Sequence, residues 1–307
     1  MISFLQTPAW RQFQEQLGRI TYTQSGDQWS YLAIKESGTL NTRLYTPYGP
    51  VCDTPDAFDS ALDSLISLGK SERATFIRIE PAMQLSIESL KNRGFYPVTY
   101  QQLQPAHTQI IDLTQSLEDL LGHMSQNSRN ITRNYHKKGI SIRTSYDPKD
   151  ISILTSLLAG VASRNRITTH NEAYFTAQAN TLFPTKAACL YIAEIENSPI
   201  AAALVFDSND TRTYAHAAAD DNYRKLSAGT ALLGQMILDA KTAELTHFDL
   251  YGIAPTDDPK HPWAGFTKFK KSFGGNTVTY PGAWDLPLQP VRYWVYRTYQ
   301  SIRKKLK

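Results

Sequence analysis

Apolar positions along the chain shift between a helical spacing and dense or alternating runs, and each shift marks an element. A short helix is expected around Trp10-Arg-Gln-Phe13, followed by strands over Trp29–Lys35 and Leu40–Tyr45 that form a hairpin about Glu36-Ser-Gly38. Pro47-Tyr-Gly-Pro50 reads as a sharp turn. A helix over about 54–70 carries Phe58, Leu62, Leu65 and Ile66 on one face. The strand Thr75–Ile79 then runs up to Pro81, and a helix from Ser86 to Arg93 ends in Gly94-Phe-Tyr-Pro97. Strands and helices in this order predict a mixed α/β sheet.

From residue 114 the scheme repeats with longer elements. A single helix is expected from Leu117 to Lys138, stopped by Gly139, then a strand over Ile140–Thr144 and helices over 147–163 and 171–182. Three strands follow, Leu190–Ile195, Ile200–Phe206 and Thr211–Ala217. Asn197-Ser-Pro199 and Asp207-Ser-Asn-Asp210 lie between them, so an antiparallel meander is predicted. The helix Ala228–Ala243 leads into a strand over Thr246–Gly252. The expected division is a first subdomain over 1–113, a second over 114–289 and a separate basic amphipathic helix over 290–307.

That helix has a narrow apolar stripe of Val291, Val295, Tyr299, Ile302 and Leu306. Arg292, Arg297, Arg303, Lys304 and Lys305 lie outside it, and Tyr293, Trp294 and Tyr296 flank it. Three readings stand open for the stripe: docking on the protein's own core, peripheral contact with an anionic membrane, or contact with nucleic acid. Charge sharpens the picture, because the net value of +4 is unevenly spread. Pro259–Lys307 holds ten Lys/Arg and one acidic residue, Asp285, a local balance of +9 that favours an anionic partner. A second basic segment runs through Arg129, Arg133, Lys137, Lys138 and Arg143. The chain is 307 residues long and 41% hydrophobic, enough for large cores. Its two cysteines, Cys52 and Cys189, form no CxxC pattern, so neither zinc nor a disulfide framework is indicated and no metal ligand is expected. The apolar runs are too short to span a bilayer, which leads to a cytoplasmic expectation.

Candidate chemistry concentrates in Gly265–Gly275, where three lysines stand among three phenylalanines just after the strand holding Asp249. A helix from Phe266 that stops at the paired glycines puts Phe266, Phe269 and Phe273 on one face with Lys270 beside them, and turns Lys268 and Lys271 to solvent. A cation against apolar walls suits an anionic transition state. Asp249 is read as a proton acceptor or as a positioning residue at the strand end. His216 and His247 lack partners at metal-ligand spacing, and no Gly-x-Ser-x-Gly elbow occurs. Three antiparallel strands, a helix and a parallel strand are in the order of a GNAT N-acyltransferase sheet. In the coenzyme A loop of that fold, however, Arg224-Lys-Leu-Ser-Ala-Gly229 puts Ser227 where a glycine is wanted.

Taken together, Trp10-Arg-Gln-Phe13, Pro47-Tyr-Gly-Pro50, Phe76-Ile-Arg-Ile-Glu-Pro81, Tyr174-Phe175, Tyr214-Ala-His-Ala217, Phe248-Asp-Leu-Tyr-Gly-Ile253 and Gly265–Gly275 resemble the FemABX family of peptidoglycan interpeptide-bridge peptidyltransferases. The resemblance implies an α/β fold of two tandem GNAT-like subdomains. It also implies transfer of an amino acid from aminoacyl-tRNA, as co-substrate and without a cofactor, to the stem peptide of lipid II or UDP-MurNAc-pentapeptide. The family's Phe-Lys pair matches Phe269-Lys270, which makes Lys270 the group that stabilises charge at the reacting ester. Tyr214 matches a tyrosine that holds the stem peptide. The family's Arg-x-x-x-Tyr aligns with His170-Asn-Glu-Ala-Tyr174, so histidine stands where an arginine contacts phosphate, and Arg164 and Arg166 are candidates to replace it. Peripheral association with the anionic inner leaflet follows for a lipid-linked acceptor. Two other classes remain open: an N-acyltransferase that uses an acyl thioester, and a non-enzymatic membrane- or nucleic-acid-binding module.

Overall fold

The structure is a computed structural model that describes residues 2–39, 41–83, 87–165 and 169–305. It divides the chain into two bodies, one of Leu5–Ala106 with Thr279–Lys307 and one of Met1–Phe4 with His107–Val278. This differs from the sequential division expected from the sequence. Residues 279–307 return to the first body, and the helix over 290–305 is part of it.

The first body contains α1 (Pro8–Gln16), β1 (Ile20–Gly26), β2 (Trp29–Ser37), β3 (Thr42–Tyr48), β4 (Val51–Cys52), α2 (Pro55–Ser71), β5 (Phe76–Pro81), α3 (Ile87–Asn92) and β6 (Tyr96–Pro97). Thr54 starts α2: its side chain accepts a bond from the Ala57 amide, and Pro55 occupies the first turn. The predicted face of α2 is the buried one, with Phe58, Leu62 and Leu65 packed against Ile77 and Ile79 of β5 in one cluster. Each such side chain contributes roughly 2 kcal/mol of burial.

The second body contains β7 (His107–Asp112), α4 (Leu117–His123), α5 (Gln126–Asn134), β8 (Ser141–Ser145), α6 (Ile151–Asn165), α7 (Glu172–Leu182), β9 (Ala188–Ile195), β10 (Ser198–Asp207), β11 (Thr211–Ala219), α8 (Ala228–Thr242), β12 (His247–Gly252), α9 (Ala264–Lys271) and β13 (Asn276–Thr279). Its seven strands lie in the order β13-β7-β12-β11-β10-β9-β8. The meander β9-β10-β11 is antiparallel as expected, and β12 joins β11 in parallel. Glu196 and Asn197, at φ 48° and 63°, make the tight turn between β9 and β10. The single helix expected over 117–138 is instead two helices and a 3-10 turn. Ser116 caps α4, and Ser125 restarts the backbone by accepting from the Ser128 amide, so the break falls at Met124-Ser125.

Two more elements, β14 (Trp284–Pro287) and α10 (Pro290–Lys305), complete the first body. Its seven-stranded sheet runs β1-β2-β3-β5-β14-β6, with β4 on β2, so β14 is an interior strand. It brings in Asp285, which is wholly buried against Arg78 of β5, both side chains being 0% exposed. The pair is bidentate, with Nε to Oδ1 at 2.7 Å and Nη2 to Oδ2 at 2.8 Å. Tyr100 and Tyr293 donate to the same carboxylate, and Arg78 also donates to Gln101. Burial alone would lower the Arg78 pKa, and the Asp285 carboxylate more than reverses this.

Helix α10 docks through Tyr293 and Tyr296, whose rings lie 5.3 Å and 5.1 Å from Phe76. Among the described residues the apolar stripe therefore does not dock on the core, and Leu306 lies outside them. Val291, Val295, Tyr299 and Ile302 are exposed. The tyrosines take the inner face because each can bury its ring and still satisfy its hydroxyl, Tyr293 on Asp285 and Tyr296 on Gln101.

The ion pair sets an expectation for stability. Asp285→Ala leaves a buried guanidinium without its carboxylate and costs about 3–5 kcal/mol by urea denaturation, whereas the double change Arg78→Met/Asp285→Leu costs much less. Equal losses for the two variants would mean that shape, not charge, makes the contact.

Candidate active site

Strand β12 ends irregularly, and that irregularity organises the site. Its pairing with β7 shifts register between Asp249 and Gly252, and Tyr251 sits at φ 63°. The Tyr251 amide turns back to donate to Asp249 Oδ1 at 2.8 Å, and the Thr108 hydroxyl of β7 donates to the same oxygen. Beyond the shift Gly252 pairs again with Thr108, and its carbonyl accepts from Lys270 Nζ at 2.8 Å.

Lys270 comes from α9, the helix expected from the phenylalanine spacing, and is 1% exposed. The Ala254 amide donates to Thr267 Oγ1 at 2.8 Å, tying α9 to the segment after β12. Phe273 is buried and Phe269 packs partly into the same core, their rings 5.5 Å apart. Phe266 stands beside Lys270, as the spacing predicts. It is 47% exposed and lies over the ammonium, with Nζ 4.0 Å from its ring centroid, so it caps the charge instead of entering the core. Tyr214 of β11 lies below, its ring centroid 5.8 Å from Nζ. Lys268 is exposed as expected, and Lys271 pairs with Asp257 at 2.7 Å.

Desolvation pushes the Lys270 pKa down to about 7, and the Asp249 carboxylate works against that fall. Burial also raises the Asp249 pKa, against the lowering effect of Thr108, the Tyr251 amide and Lys270. The site thus holds one cation in a dry setting, where a nearby developing negative charge is stabilised far more than in water.

A second cluster joins α7 to β11. Asn171 caps α7 by accepting from the Tyr174 amide, and His170 stacks on Tyr174 with centroids 3.8 Å apart and planes at 13°. His216 meets Phe175 edge-on at 5.0 Å and lies 6.2 Å from His170. Burial first, then the neighbouring His170, pushes the His216 pKa down to about 4, so it is neutral at pH 7. A cavity of about 350 Å³ opens beside His170, Asn171 and Phe175, walled by Thr155 and Ser156 of α6. Arg166 and the side chain of Arg164 lie outside the described residues, so neither is placed at this cavity.

Thr108 and the Gly252 carbonyl were not read from the sequence. Thr108 reaches Asp249 through the pairing of β7 with β12, and no local pattern announces that pairing. Neither cysteine offers a nucleophile, since burial pushes both Cys52 and Cys189 up to about 12. Among the described residues, no His/Cys/Asp/Glu group could hold a metal ion. Ser227 begins α8 at φ 60° and makes no side-chain cap bond. It makes the left-handed turn ahead of α8 and keeps a side chain there.

A model of the FemAB family matches residues 91–198 and 195–301. No curated protein matches the chain in sequence. Among solved structures, FemX is 17% identical, with a TM-score of 0.85 over 96% of this chain and 94% of FemX. L-PGS from Bacillus licheniformis is 11% identical, with a TM-score of 0.59 over 96% of this chain and 90% of the other. A tandem GNAT protein from the clavulanic acid biosynthesis pathway is 12% identical, with a TM-score of 0.52 over 87% and 83%. The fold is accordingly α/β with two tandem GNAT-like subdomains.

The charge state of Lys270 is open to direct measurement. In nitrogen-detected NMR its Nζ titrates near pH 7, well below an ordinary lysine near 10.4. Because the Asp249 carboxylate holds the value up, Asp249→Asn moves the midpoint lower still. A midpoint at 10 or above would mean that water reaches the amine.

Proposed function

The chain belongs to the FemAB family, the peptidoglycan interpeptide-bridge transferases, and from that premise we propose that it is an aminoacyltransferase. It moves an amino acid from aminoacyl-tRNA to an amine on the stem peptide of a peptidoglycan precursor, lipid II or UDP-MurNAc-pentapeptide. The charged tRNA serves as co-substrate with no further cofactor. The protein works in the cytoplasm, at the inner face of the membrane when its acceptor is lipid-linked.

The observation that carries this reading is the Lys270 ammonium, buried between the Gly252 carbonyl and the Phe266 ring with Asp249 close enough to raise its pKa. All three neighbours favour the cation. In the proposed reaction the acceptor amine attacks the ester carbonyl carbon and a C–N bond forms. The bond to the terminal ribose oxygen then breaks, and the proton lost by the amine ends on that oxygen. Negative charge appears first on the carbonyl oxygen and then on the ribose oxygen, and a preorganised ammonium stabilises both. No covalent enzyme intermediate is needed, so positioning and electrostatics supply the rate. Phe269 fixes the helix that carries Lys270, and Asp249 acts as a positioning residue at the strand end. Tyr174, Tyr214 and His170 are assigned to the acceptor. The His170–Tyr174 stack offers a flat surface and a titratable ring in place of an arginine fork.

Incubation with a mixture of charged tRNAs and either precursor is expected to add one amino-acid residue, read by mass spectrometry. Lys270→Met lowers kcat/KM by about 10²–10³ or more while circular dichroism shows the fold retained. Near-normal turnover would remove Lys270 from the mechanism. Modification from an acyl-coenzyme A pool, with no transfer from any tRNA, would replace the donor with a thioester. Because the working form is the ammonium, transfer declines on the alkaline side as pH rises through about 7, and Asp249→Asn brings that decline to lower pH.

A further inference from the structure

Helix α10 is held to its own body by one face and presents the opposite face, bearing the apolar stripe, to solvent. Tyr293 and Tyr296 are 1% and 5% exposed, whereas Val291, Val295, Tyr299 and Ile302 are 80%, 54%, 51% and 55% exposed. The four recur at i, i+4, i+8 and i+11, a continuous line along three turns. Trp294 widens it at 45% exposure, and the exposed ring of Tyr96 lies 6.5 Å from Trp294. The Arg297 guanidinium sits over the Trp294 ring at 4.6 Å. In sequence the helix carries Arg292, Arg297, Arg303, Lys304 and Lys305 and no acidic residue.

Each candidate occupant of this face makes a different demand. A second copy of the chain pairing face to face would bring two all-basic helices together with no carboxylate on either to answer them. A nucleic acid would be drawn by the arginines and would leave the valines and Ile302 uncovered in water. An anionic lipid surface meets both demands, because acyl chains and headgroups receive the apolar line and its interfacial tryptophan and tyrosines while phosphates receive the basic flanks. We propose that the outer face of α10 is the surface by which this protein lies on an anionic membrane. The consequence for chemistry rests on the aminoacyltransferase reading: an enzyme seated on lipid meets its acceptor as the lipid-linked precursor, not the soluble one.

Flotation of the full chain with phosphatidylglycerol vesicles and with phosphatidylcholine vesicles tests the proposal. The assay contains no tRNA or precursor, so its result stands whether or not the transfer reaction does. The protein is expected to float with the anionic vesicles and not the neutral ones. The double variant Val295→Asp/Ile302→Asp, which leaves Tyr293 and Tyr296 in place, is expected to lose about tenfold of the bound fraction at an unchanged Tm. Absence of flotation by the unmodified protein would overturn the proposal. So would equal flotation of the variant, which would reduce the contact to charge alone, or a dimer in sedimentation equilibrium that the variant disperses, which would assign the face to a second copy.

Discussion

Arg78 and Lys270 are both taken out of water, and what answers each charge sets them apart. Around Arg78 the answer is strong: a bidentate carboxylate, the Tyr100 hydroxyl and a glutamine amide oxygen all accept from the guanidinium, and Tyr100 and Tyr293 in turn donate to the carboxylate. The guanidinium is therefore held more firmly in its charged form than in water. Lys270 has one carbonyl, the rings of Phe266 and Tyr214, and a carboxylate acting through space, and its pKa falls to about 7. Equal burial produces a structural tie in one body and a charge with capacity to spare in the other. A group that still lacks a full counter-charge in a dry site has stabilisation left to give to negative charge that forms beside it.

Much of the fold could be read from local signals, and the exceptions share a cause. The meander β9-β10-β11 was legible because its turns carry residues that tolerate positive φ, and α2 because Thr54, Pro55 and a regular apolar face all agree. The break between α4 and α5 was not, because Ser125 inside a helical pattern is ambiguous until its hydroxyl is seen to cap. Strand β14 was missed for another reason. Four residues carry little periodicity, and only pairing with β5 and β6 from far earlier in the chain gives them a place. In α10 the spacing found the stripe and left its direction open, since hydrophobicity alone does not reveal that buried tyrosines will find partners in Asp285 and Gln101.

The candidate site divides along the same line. Lys270, Phe269 and Asp249 stood out as residue types in an unusual grouping, and the structure brings Lys270 and Asp249 into one electrostatic neighbourhood. The partners that set the behaviour of that neighbourhood, Thr108 and a main-chain carbonyl, leave no mark in composition or spacing. His170 was visible only as a departure from an expected arginine. In the structure it is a ring held flat against the ring of Tyr174.

The place of β14 bears on how the molecule is made. As the chain emerges from the ribosome, residues 107–278 have every strand of their own sheet before β14 exists, whereas residues 5–106 wait with a gap between β5 and β6. The body begun first is thus the body finished second. Until Asp285 arrives, the Arg78 guanidinium lacks the carboxylate that it grips with two bonds, so burying it early would leave a charge without its main partner.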